Sequence, residues 1–191
     1  MCELVFIDET RKDPLTERRL YGRGVRGLRT AVEVAYSRAT RGYSALGVLT
    51  VDGIIDCAIR SSSGVSSEQF VQDFYECVIP HLQPYPAPRS VVVLDNAIVH
   101  HHPRIAEAVH RVGALIFFLP AYGYDLQPIE SAFSKVKAVL VRNPGGSNTR
   151  NPRAALRRAL MSISPSDAAG YFRRCGWQVQ EEGPLAFLGI M

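Results

Sequence analysis

Two aspartates stand where a metal-dependent site could form. Asp8 follows the apolar run 4–7, and Asp95 follows the apolar run 91–94. Each run predicts a buried strand that ends in acid, and open α/β sheets place ligands at strand ends. If the strands are neighbours about 4.8 Å apart, the carboxylates repel one another unless a cation neutralises them, and hard oxygen ligands favour Mg²⁺ or Mn²⁺. The alternative is that each aspartate only begins a turn.

A third acid lies near the start of a predicted helix. Glu130 follows Pro128, with 34 residues between it and Asp95. Lys137 lies seven residues further on, and this spacing puts both side chains on one helical face. That face could present a metal ligand and a phosphate-binding cation. The alternatives are that Glu130 compensates the helix dipole and that Lys137 is only solvated.

The elements that must position these residues alternate along the chain. Asp52-Gly53 between two apolar runs predicts a hairpin, and Ser66 with Gln69 forms a capping box. The other predicted helices begin near Pro103, Pro128, Asn151 and Ser166. The order is strand, hairpin strands, helix, strand, helix, strand, helices. This order predicts an α/β fold whose parallel strands are covered on both faces.

Composition fits a single globular domain. The chain has 191 residues, of which 47% are hydrophobic, and no apolar run approaches the length of a membrane span. The four cysteines are scattered without a CxxC pair, which argues against a zinc ribbon or a disulfide framework. The net charge is +4, and residues 11–42 hold nine cations against three anions. Clustered arginine suits nucleic-acid phosphate, although a solvated surface is the alternative.

Three sequence blocks together carry a resemblance. The blocks 6–9 (FIDE), 93–100 (VLDNAIVH) and 119–130 (LPAYGYDLQPIE) resemble the catalytic domain of mariner-type transposases, which are DDE superfamily endonucleases. The resemblance implies an RNase H-like fold, with a mixed five-stranded sheet flanked by helices on both faces. In that fold the first and fourth strands are neighbours, as the two aspartates require, and the predicted hairpin joins the second and third strands.

The same resemblance implies the roles of individual residues. Asp8, Asp95 and Glu130 are the expected catalytic metal ligands for two Mg²⁺ or Mn²⁺ ions. Lys137, His100, Arg23, Arg26 and Arg29 are the expected DNA-binding residues, and Asn96 and Gln127 are expected to support the site. Gln127 stands where the family usually has Asn, and Gly123-Tyr124 replaces the usual Ser-Pro.

The predicted function is metal-dependent DNA cleavage and strand transfer in cut-and-paste transposition. We expect a catalytic domain over 1–176 and a tail over 177–191, with no room for an N-terminal helix-turn-helix module. DNA is therefore the expected partner, and we expect it to be contacted largely without sequence preference. The expected assembly is a homodimer in a DNA complex, and no membrane role is expected. The expected location is nuclear in a eukaryote or cytoplasmic and nucleoid-associated in a bacterium, without secretion.

Two other functions stay open on the sequence. One is a domesticated or inactive domain that only binds DNA or a protein, because all three acids can persist in an idle site. The other is a hydrolytic RNase H-like nuclease without strand transfer.

Overall fold

The computed structural model describes residues 3–12, 25–27, 42–61, 65–142 and 151–178. Its strands are β1 (Leu4–Lys12), β2 (Tyr43–Thr50), β3 (Gly53–Arg60), β4 (Val91–Leu94) and β5 (Leu115–Phe118). Its α-helices are α1 (Ser67–Cys77), α2 (Pro103–Val112), α3 (Pro128–Arg142), α4 (Pro152–Leu160) and α5 (Pro165–Arg174). Short 3₁₀ turns cover Ile79–His81, Ile98–His101 and Gly123–Leu126.

The strands form one mixed sheet in the order β3-β2-β1-β4-β5. β1, β2 and β3 pair antiparallel, whereas β1, β4 and β5 pair parallel. The hairpin between β2 and β3 turns at Asp52-Gly53, where Gly53 has a φ of 110°, in the left-handed region that favours glycine. The predicted five-stranded sheet, its hairpin and the adjacency of the first and fourth strands are confirmed.

Helices cover both faces of this sheet. We call the side covered by α3, α4 and α5 the α3 face; Leu4 and Phe6 of β1 pack there. We call the side covered by α1 and α2 the α1 face; Val5 and Ile7 pack there. The alternation follows from the two-residue period of a strand, so neighbouring residues of β1 serve opposite sides of the sheet.

Helix ends follow their capping residues, with one correction. Ser66 and Gln69 form the predicted capping box at α1. The last helix is capped by Ser164, whereas the sequence prediction named Ser166. The hydroxyl of Ser164 accepts from the backbone N–H of Asp167 at 3.2 Å, and the carboxylate of Asp167 accepts from the N–H of Ser164 at 2.9 Å. Pro165 then occupies the first helical position, which its fixed φ suits.

Trp177 belongs to the folded domain, although the predicted tail begins at this residue. Its ring lies 5.4 Å from the ring of Phe6, and its Nε1 donates to the carbonyl of Leu126 at 2.8 Å. Residues 179–191 lie outside the described residues. Among the helices that are described, none has the length and apolar character needed to cross a membrane.

We predict that Gly47→Ala destabilises the domain, because Gly47 lies beneath α3. An added Cβ would lie 3.0 Å from Cε1 and 3.2 Å from Cζ of the buried Phe133, which is closer than optimal carbon contact. The free energy of unfolding should fall by about 1–3 kcal/mol in urea denaturation.

The matched control is Gly170→Ala in α5, where an added Cβ meets nothing within 4 Å. That change should raise the free energy of unfolding by about 0.5–1 kcal/mol, because alanine is the better helix former. Equal effects of the two substitutions would contradict the close approach of α3 to β2.

Candidate active site

The pairing of β1 with β4 brings Asp8 and Asp95 to the same level. The parallel register joins Leu4 to Val91 and Phe6 to Val93. Continued by two residues, this register sets Asp8 level with Asp95. The prediction that β1 ends at Asp8 is wrong, because β1 continues to Lys12 through antiparallel pairing with β2. Asp8 instead lies just beyond the point where the pairing with β4 stops.

Asp8 is a buried carboxylate among other acids. Its side chain lies on the α3 face, the residue is 8% exposed, and Oδ1 accepts from the N–H of Glu9 at 2.7 Å. Burial raises the pKa of Asp8 from 3.8 to about 7, against the lowering effect of that hydrogen bond. The negative charges of Glu130 and Asp95 push the pKa of Asp8 in the same upward direction. The predicted ligands therefore lie near enough to repel one another.

Glu130 is exposed in the first turn of α3. The helix is fixed by apolar residues that pack on the sheet, among them Ile129 and Phe133. Gln127 immediately precedes the helix, and its carbonyl accepts from the N–H of Glu130 at 3.2 Å. The side chain of Gln127 is buried, and its Nε2 has no hydrogen-bond partner among the described residues.

Asp95 follows β4 and is held by its own loop. Its Oδ1 accepts from the N–H of Ala97 at 3.0 Å and lies 2.5 Å from Nδ1 of His100. Asn96 is exposed, and its Oδ1 contacts Nε2 of His101 at 2.7 Å. The supporting role predicted for Asn96 stays a prediction.

The DNA-contact role predicted for His100 is wrong. Its side chain is 1% exposed and contacts two carboxylates, Asp95 through Nδ1 and Glu9 through Nε2 at 3.0 Å. Burial by itself lowers the pKa of His100. The hydrogen bond to Glu9 and the charges of both carboxylates outweigh burial, so the pKa of His100 is raised from 6.5.

Glu9 is the residue of this site to which sequence reasoning gave no role. Glu9 and His100 are 91 positions apart. The signal was present, because adjacent strand residues point to opposite faces. If Asp8 faces one side of the sheet, Glu9 must face the other.

The donor set fits a hard divalent cation. Asp8, Asp95 and Glu130 offer only carboxylate oxygens, which suit Mg²⁺ or Mn²⁺. Within the described residues, however, no three His, Cys, Asp or Glu side chains close around one point that suits a metal ion. Like charges repel one another, which opposes such a closure.

The structure describes only some of the predicted DNA-binding cations. Lys137 is exposed on α3 and borders a shallow crevice whose other lining residues include Thr10, Arg11 and Lys12 of β1. Arg26 is exposed. Arg23 and Arg29 lie outside the described residues. The structure therefore brings Lys137 toward the basic end of β1.

A family model described as DDE superfamily endonuclease matches residues 3–147. This range includes all three acids and most of the chain. The chain belongs to the DDE superfamily endonuclease family. This match supports the mariner-type resemblance seen in the sequence blocks. A search of the curated proteins gives no match.

Solved structures of a mariner transposase share the fold of this endonuclease domain. The Mos1 transposase paired-end complex with left transposon end aligns with a TM-score of 0.64 at 15% identity, over 91% of this chain and 51% of that one. The Mos1 mariner paired-end complex with Mn aligns with a TM-score of 0.62 at 15% identity, over 91% of this chain and 52% of that one. The Mos1 transposase catalytic domain with raltegravir and Mg aligns with a TM-score of 0.59 at 11% identity, over 91% of this chain and 77% of that one. The RNase H-like fold is thus confirmed, and the chain spans about half the length of the first two relatives.

We predict that Asp8→Asn stabilises the domain in EDTA, and more at pH 8 than at pH 5. The pKa of Asp8 is raised in the folded state, so ionisation costs stability increasingly as the pH rises from about 4 toward 7. Asparagine removes that cost. The shift corresponds to a few kcal/mol at most, or on the order of 5 °C in Tm at pH 8.

The control is Glu107→Gln on α2, whose carboxylate is 64% exposed and should change Tm little at either pH. A gain for Asp8→Asn that is the same at both pH values would contradict the inferred cost of ionising the buried Asp8.

Proposed function

We propose that this domain cleaves DNA and joins DNA strands with two divalent ions held by Asp8, Asp95 and Glu130. The observation that carries the proposal is the buried carboxylate of Asp8, level with Asp95 and within electrostatic reach of Glu130. Buried like charges are costly unless a cation compensates them. Their places in the sequence match the acids of the family motif.

In this mechanism the protein contributes position and charge. When bound, the ions activate water or a DNA 3′-hydroxyl for in-line attack and stabilise the departing oxygen. Asp8 is held by the antiparallel pairing of β1 with β2, and Glu130 is held by the buried face of α3. Rigid elements of this kind keep catalytic ligands in place at little entropic cost.

DNA is the proposed substrate and partner. The Mos1 relatives are described as a paired-end complex and a strand transfer complex, which supports DNA as the partner. A homodimer in the DNA complex is the proposed assembly. Lys137 and Arg11 are exposed and line the same crevice. These cations suit phosphate contacts, which hold DNA without reading its sequence.

We predict that Asp8→Asn, Asp95→Asn and Glu130→Gln each reduce Mn²⁺-dependent cleavage by at least about 100-fold, because each removes a direct ligand and loss of outer partners alone costs up to that factor. Cleavage of a nicked donor and joining to an intact target are measured with purified protein. Circular dichroism verifies the fold, and Glu107→Gln is the control.

Each outcome of this assay decides between the candidate functions. Wild-type rates in any acid variant would show that the residue is not a ligand. Metal-independent DNA binding without turnover would support the binding module instead. Cleavage without joining would support a hydrolytic nuclease.

We predict that Lys137→Ala weakens DNA binding several-fold and slows cleavage, whereas Lys137→Arg retains most of both, because either cation can contact a phosphate. The slope of log K against log [salt] should decrease in magnitude by about 1 in the alanine variant. Fluorescence anisotropy over several salt concentrations measures this slope. Arg111→Ala on α2, an exposed cation paired with Glu107, is the control and should leave the slope unchanged. An unaltered slope in Lys137→Ala would place the DNA path elsewhere.

A further inference from the structure

His100 is a polar side chain enclosed on the α1 face. It lies in the 3₁₀ turn Ile98–His101 that follows β4. Its ring centroid lies 4.5 Å from that of Phe70 in α1, and only 1% of its side chain is exposed. A buried imidazole needs partners for its polar atoms.

Both ring nitrogens of His100 meet carboxylates. Nδ1 lies 2.5 Å from Oδ1 of Asp95, and Nε2 lies 3.0 Å from Oε2 of Glu9. Carbonyl and carboxylate oxygens only accept hydrogen bonds. An N–H at each ring nitrogen therefore satisfies both hydrogen bonds, from Nδ1 to the carbonyl of Asp95 at 3.4 Å and from Nε2 to Glu9. The imidazole thus links β1 to the loop after β4.

The contacts on the carboxylate of Asp95 fall on one oxygen. Oδ1 accepts from the N–H of Ala97 at 3.0 Å and lies 2.5 Å from Nδ1 of His100, whose hydrogen bond goes to the carbonyl of Asp95 at 3.4 Å. Oδ2 receives no hydrogen bond from the described residues. The hydrogen bond from Ala97 and the close contact with His100 restrict the rotation of the carboxylate and leave Oδ2 as the oxygen that can coordinate a cation.

His100 and Glu9 lie on the opposite side of the sheet from Asp8 and Glu130. Asp8 faces the α3 side of β1, where Glu130 lies, whereas Glu9 faces the α1 side with His100. The neighbouring histidines have other roles. His101 stacks on Phe118 at 4.2 Å, and Nδ1 of His102 accepts from the N–H of Arg104 at 3.3 Å.

We propose that His100 is a positioning residue, anchored by Glu9, that fixes Asp95 from the α1 face so that Oδ2 of Asp95 is the oxygen presented to a divalent ion. This role rests on the proposed function, because it takes Asp95 as a metal ligand. Hydrogen-bond partners of metal ligands commonly act in this way, and their loss costs about 10–100-fold in affinity. A role limited to packing against Phe70 is the competing explanation.

Two substitutions test the contacts of the two ring nitrogens of His100 one at a time. In His100→Asn the side-chain amide can replace the donor at Nδ1 and keep the contact with Asp95. In His100→Gln the longer side chain can replace the donor at Nε2 and keep only the contact with Glu9. His110→Asn, an exposed position on α2, is the control.

The readout is Mn²⁺ binding, measured by the electron paramagnetic resonance signal of free Mn²⁺, together with Tm in EDTA. We expect the Kd for Mn²⁺ to rise about 10-fold or more in His100→Gln, and less than about 3-fold in His100→Asn. Both variants should show similar losses of Tm in EDTA, since both lose the ring that packs against Phe70.

Equal Kd values for both variants, whether unchanged or raised, would overturn the positioning role. A wild-type protein that binds no Mn²⁺ would overturn the proposed function and this inference together. If His100→Gln does not fold, Glu9→Ala is the second test. It leaves the imidazole in place without its anchor, and the Kd should rise several-fold, whereas an unchanged Kd would contradict the proposal.

Discussion

The parallel pairing of β1 with β4 is the constraint on which the site depends. It ends at Phe6 and Val93, so Asp8 and Asp95, two residues further on, lie at the same level without further ladder bonds between their strands. The antiparallel pairing of β1 with β2 continues past that point and keeps Asp8 buried. One strand thus holds a carboxylate rigidly while leaving its side open to a ligand. Burial and the neighbouring acids make the ionised form of Asp8 costly.

Each face of the sheet positions a different one of these acids. On the α3 face, Gly47 stands opposite Asp8 in the register of β1 and β2, and its missing side chain lets Phe133 approach closely. The close approach of Phe133 to Gly47 sets the distance between α3 and the sheet, and therefore the position of Glu130 relative to the sheet. On the α1 face, Glu9 and His100 hold Asp95. The alternation of a strand is what lets two adjacent acids, Asp8 and Glu9, serve these separate tasks.

Much of the fold could be predicted from local patterns. The Asp52-Gly53 hairpin and the Ser66 capping box carry their own turn and cap chemistry, and the two aspartates required adjacent first and fourth strands. The length of β1 could not be read in the same way. Its second half, 9–12, is polar and resembles a loop, but pairing with β2 overrides local propensity. Ser164 was detectable, since Ser164 and Asp167 have capping-box spacing around Pro165. The burial of His100 was not, because its partner Glu9 is distant in sequence.

Manganese anomalous scattering from crystals soaked in Mn²⁺ tests the central claim most directly. The account predicts anomalous peaks between the carboxylates of Asp8, Asp95 and Glu130, with Asp95 coordinating through Oδ2 while Oδ1 keeps its contact with His100. Peaks confined to other acidic residues, or none at these three carboxylates at saturating Mn²⁺, would contradict it.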